Sequence, residues 1–116
     1  MIGRQHASLS RERWGAFSFG QQVLMLANEM NRASKLMADE DVGRRHNAYE
    51  RVLNLTDLAI AVASRPAVRR ELLRWRDLVA ALYVDPSADP QAHALAFRAL
   101  LLLTPESALQ IQHVLG

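Results

Sequence analysis

RRHNAYERVLNLTDLAIAVASRPAVRRELLRWRDLVAALYVDPSADPQAHALAFRALLLLTPESALQIQHVL (residues 44–115) runs 72 residues without a glycine. Glycine supplies the positive φ of tight hairpins, phosphate-cradling loops and nucleophile elbows, so those devices have almost nowhere to sit in this stretch. Its punctuation is proline behind a capping residue, at Ser64-Arg65-Pro66, Asp89-Pro90 and Thr104-Pro105. Proline is tolerated in a first helical turn and disfavoured in a helix interior, so each of these marks a helix start.

Working outward, apolar residues recur at steps of three and four. Tyr49, Val52, Leu53, Thr56, Ala59, Ile60 and Ala63 form the buried face of a helix over about 42–63. Val68, Leu72, Trp75, Val79, Leu82 and Tyr83 do the same for a helix over about 66–83. The loop Asp85-Pro86-Ser87-Ala88-Asp89 precedes a fourth helix over about 90–103, and Thr104-Pro105-Glu106 opens a short fifth over about 105–115. Before the glycine-free stretch, Phe19, Val23, Leu26, Met30, Ala33 and Met37 give the seam of a first helix over about 18–38. Asp39-Glu40-Asp41 ends that helix against its own dipole, and Asp41 is placed to cap the next one. No segment alternates apolar and polar residues for long enough to be a strand. The expected fold is all-α, an up-and-down bundle of four principal helices plus a short C-terminal fifth, with residues 18–116 as a single domain. Residues 1–17 read as a basic, mobile N-terminal arm whose Trp14 and Phe17 are apolar enough to dock.

Half of the 116 residues are hydrophobic and 22% charged, which suits a globular domain and not a disordered chain. The longest apolar runs, 58–63 and 99–103, fall far short of the ~20 residues of a membrane span, and Met1–Ser10 lacks the apolar stretch of a secretory signal. A cytoplasmic protein with no membrane partner is expected. The absence of cysteine removes disulfides, thiolate metal sites and thiol catalysis. The formal charge of +2 rests on thirteen arginines and one lysine, and it alternates along the chain: +3 over 1–38, −2 over 39–64, +3 over 65–84 and −2 over 85–116. Such alternation fits helices packed side by side, or subunits that meet head to tail.

Motifs for chemistry are sparse. The spacing of di-iron bundles is approached only by Glu29-Met-Asn-Arg32 and Glu71-Leu-Leu-Arg74, which arginine turns into salt bridges. His46 and Glu50 lie one helical turn apart with no third ligand, and read as a solvated pair. His6, His93 and His113 are scattered, with no triad spacing. No catalytic, cofactor or metal residue is assigned, and an enzyme is not expected.

The helix over 66–83 carries arginines opposite its apolar face. That side holds Arg69, Arg70, Arg74, Arg76 and Asp77, with Leu73 in its middle, and an apolar side chain ringed by Arg69, Arg70, Arg76 and Asp77 fits an interface. The segment Leu58-Ala-Ile-Ala-Val-Ala-Ser64-Arg65-Pro66-Ala-Val68-Arg69-Arg70 resembles the helix-turn-helix of bacterial repressors. It departs from that pattern in lacking the turn glycine and one turn residue, and in the length of its first helix. The resemblance implies DNA contact through the arginines of about 58–76. The leading expectation is a non-enzymatic bundle that binds a protein partner or another copy of itself, with Arg65, Arg69, Arg70, Leu73, Arg74 and Arg76 as the candidate surface. The methionines of the first helix suit helix-in-groove contact, and small export and flagellar chaperones share this general architecture. Nucleic-acid binding is the alternative.

Overall fold

The three proline signals all open helices. In the computed structural model, which describes residues 10–115, the elements are α1 (Arg11–Gly15), α2 (Phe19–Ser34), α3 (Val42–Val62), α4 (Pro66–Val84), α5 (Pro90–Leu101), α6 (Pro105–Ala108) and α7 (Ile111–Val114). Asp89 and Thr104 cap α5 and α6 by accepting from the amides of Ala92 and Ser107. Ser18 and Gln21 form a reciprocal capping box at the start of α2. No strand occurs among the described residues.

Three expected boundaries differ. The first helix stops at Ser34, so Met37 lies beyond it, half-buried. Its trailing carbonyls turn to a partner from α3: Arg45 donates to Leu36 O at 2.8 Å and to Ala38 O at 3.3 Å. Asp41 precedes α3 but makes no capping bond, because the 3-10 turn Asp39–Asp41 leads straight into the helix and its carboxylate pairs with Arg44 instead. The segment expected as one helix over 105–115 is two short helices, α6 and α7.

Each neighbouring pair of long helices runs antiparallel, and side-chain contacts fix the register. Glu29 of α2 meets Arg51 of α3 at 3.0 Å, while Phe19 and Gln22 share a groove with Ala59 and Val62. Arg76 of α4 meets Asp57 of α3, and His46 stacks on Tyr83 at 4.0 Å towards the other end. Trp75 of α4 donates to Ala96 O of α5 at 2.8 Å, and α5 closes the ring against α2 through Ser34 and His93. The result is the expected all-α up-and-down bundle, with Val23, Leu26 and Met30 facing Val52, Leu72, Val79, Phe97 and Leu100 in one core.

Residues 1–9 of the expected arm lie outside the described residues. The rest of it contributes α1, which is capped by Ser10 and packs Trp14 into the core with no exposed surface. Gln22 holds this turn by donating to Trp14 O and Phe17 O, each at 3.1 Å. At the same end Gly20 lies in the first turn of α2. A Cβ there would come within 2.7 Å of Glu106 Oε2, so the glycine lets a carboxylate approach the positive end of α2.

Candidate interaction surface

The arginines expected to share one exposed face prove unequal. Arg76 is tied to Asp57 through two bonds of 2.6 and 3.3 Å, and that carboxylate raises its pKa above the usual guanidinium value. Arg74 pairs with Glu71 at 2.9 Å, and Arg69 donates to Ala63 O at 2.6 Å. Arg65 and Arg70 are exposed and make no ion pair among the described residues. Leu73 is 46% exposed. The i,i+3 reading of the two Glu-x-x-Arg motifs holds, with Glu29 drawing Arg51 from α3 as well as Arg32 from its own helix.

The segment over 58–76 is an antiparallel hairpin. Contacts at Asp57–Arg76 and at His46–Tyr83 keep α3 and α4 alongside each other, whereas a helix-turn-helix crosses its helices at about 90–120°. The start of α4 therefore does not project from the bundle as a recognition helix does.

His93 sits in the interior, where three helices meet. Ser34 donates its one hydroxyl proton to Met30 O at 3.0 Å, so at 2.8 Å from His93 Nε2 its oxygen accepts from the ring. Nδ1 then accepts from the Tyr49 hydroxyl, also at 2.8 Å. Burial lowers the His93 pKa, partly offset by the Met30 carbonyl, and burial pushes Tyr49 up to about 12. Both ring nitrogens are thus engaged in linking α5 to α2 and α3. His46 is stacked on Tyr83, and no cluster of three or more metal-ligating side chains occurs among the described residues.

Sequence reasoning missed a second surface. Helix α5 buries His93, Ala96, Phe97, Leu100 and Leu101 on one side. At about 100° per residue, Leu95, Ala99 and Leu102 fall together on the other. Leu95 is 67% and Leu102 57% exposed. Beside them Ala99 and Leu103 share a groove with Glu71, Arg74, Trp75 and Leu78 of α4, and Leu78 is itself 49% exposed. The signal was present in the sequence as a helix with leucines on more than one face, Ala92 to Leu103 being apolar except at His93 and Arg98. Among the described residues no helix is long and apolar enough to cross a membrane. Comparison with protein families, curated proteins and solved structures finds no match.

Proposed function

We propose that this protein is a non-enzymatic interaction module whose α5 face receives an amphipathic helix of a protein partner. The observation that carries the reading is the exposure of Leu95 and Leu102 on a helix whose opposite side is fully packed. An apolar stripe at a spacing of seven, with Ala99 between its two leucines, matches the anchors of helix-in-groove recognition. The alanine allows close approach of a backbone. Arg98 borders the stripe without an ion pair among the described residues, so a partner helix with acids beside its apolar anchors is favoured.

The candidate surface on α4 contributes less on this reading, since Arg69, Arg74 and Arg76 are held by groups of the bundle. DNA contact through the same arginines is disfavoured for the same reason and by the antiparallel setting of α4. The engaged nitrogens of His93 favour a structural role over a catalytic one. Affinity purification from the native cell, run in parallel with wild type and the Leu95→Asp/Leu102→Asp variant, tests the proposal. A partner retained by wild type, lost from the variant and rebound by purified protein is expected. Equal recovery by both proteins, or none by either, overturns it.

A further inference from the structure

The two ends of the bundle carry opposite charge. One end gathers the start of α2, the end of α3, the start of α4 and the end of α5. Over residues 10–18, 62–70 and 98–115 it holds six arginines against two glutamates, a net +4. The other end, over residues 34–45 and 84–90, holds five acids against three basic residues, a net −2. Helix α4 spans the distance between them, and its terminal charges oppose its dipole. Arg65 occupies its N-cap, Arg69 and Arg70 follow in its first turns, and Asp85 is its C-cap. A helix stabilises anions at its N-terminus and cations at its C-terminus, so these residues work against the helix that carries them.

The acidic end also offers a groove. It is lined by Val42, Arg45, His46, Tyr83, Val84 and Asp85, and its volume of about 180 Å³ admits side chains but not a helix. Arg45 is 3% exposed and its guanidinium is turned to the carbonyls of Leu36, Ala38 and Pro86, whereas the Asp85 carboxylate is exposed at the groove and makes no ion pair among the described residues. Val84 is 72% exposed and Val42 42%, and the His46–Tyr83 stack presents an aromatic wall. An arginine suits this lining: its stem covers valine surface, its guanidinium stacks on an aromatic face, and its charge meets a carboxylate. Arg65 and Arg70, exposed and without ion pairs among the described residues, stand at the far end of the same molecule.

We propose that copies of this chain associate head to tail, with Arg65 and Arg70 at the start of α4 in one copy seated against the Val42–Tyr83–Asp85 groove of the next. The surfaces that meet are different, so the contact is heterologous and repeats in one direction. This inference goes beyond the α5 reading, because it concerns the bundle's ends.

Sedimentation velocity over a concentration series tests it. In about 20 mM salt the weight-average mass should rise with concentration above the 13.0 kDa of one chain, and about 0.5 M salt should weaken association at least roughly tenfold. Arg65→Glu/Arg70→Glu should stay monomeric, as should Glu40→Lys/Asp85→Lys. Mixed in equal amounts, the two variants present complementary ends and should assemble. Circular dichroism checks that each is folded. If either is not, the milder pair Arg70→Ala and Asp39→Ala serves, and each should weaken self-association several-fold. A monomer at low salt, assembly that persists through either charge reversal, or a mixture that stays monomeric overturns the proposal. Leu95→Gln/Leu102→Gln should assemble like wild type, which keeps failure here distinct from failure of the α5 reading.

Discussion

His93 is held neutral by its surroundings, and its protonation state should be felt in the stability of the whole chain. It is 3% exposed, its Nε2–H donates to Ser34 and its Nδ1 accepts from Tyr49. A second ring proton would cancel the bond from Tyr49 and place a cation in the interior, beside a tyrosine that already feels Arg45 and Asp89. The folded pKa is therefore lowered from the ordinary 6.5, while the unfolded chain keeps that value. Below it the unfolded state binds the extra proton first, so stability is present above pH 6.5 and falls as the pH drops. Each pH unit below that value costs up to about 1.4 kcal/mol until the folded pKa is reached. Urea denaturation at about pH 7.5 and about pH 5 should show a larger acid loss for wild type than for His93→Gln. Equal losses would mean that His93 titrates freely in the fold. None of this is legible in spacing, because Ser34 and Tyr49 lie 59 and 44 positions away from His93.

Helix starts were legible where their cause is local. Pro66, Pro90 and Pro105 open helices, and Asp89 and Thr104 supply caps, because each signal needs only a fixed φ or a side chain within three residues. Helix ends were less legible because their partners are distant. Arg45, 3% exposed, takes up carbonyls of Leu36 and Ala38 and also donates to Pro86 O at 3.2 Å, thereby shaping two connections that no local pattern reveals. Asp41 and Asp89 look alike in sequence, yet only Asp89 bonds a helical amide. Asp89→Ala should cost about 1 kcal/mol. Asp41→Ala removes only a pair with the exposed Arg44 and should cost less than about half as much. Thermal denaturation of the two variants decides this, and an equal or larger loss at Asp41 would show that it caps α3 after all.

At the scale of the whole molecule, the four long helices differ in how their apolar residues are spent. In α2, Val23, Leu26, Met30 and Ala33 follow the predicted seam into the core, so the packed face was readable from period alone. Helix α5 carries alanine or leucine on both its packed and its exposed side, with Arg98 its one charged residue, and only the positions of α2 and α4 around it determine which leucines are covered. That is why the arginine face of α4 was found from the sequence and the leucine stripe of α5 was not. The arrangement makes chemically identical residues energetically unequal. Leu100 has no exposed surface, and Leu100→Ala should cost about 2–5 kcal/mol through lost burial and the cavity left behind. Leu95 and Leu102 contribute little to folding from their exposed positions, and Leu95→Gln and Leu102→Gln should each change stability by no more than about 0.5 kcal/mol. A chain selected only for stability gains nothing from two such leucines and risks aggregation through them. Urea unfolding of the three variants measures the contrast. If Leu95→Gln or Leu102→Gln destabilises by as much as Leu100→Ala in dilute solution, the stripe is part of the core and not a surface kept for a partner.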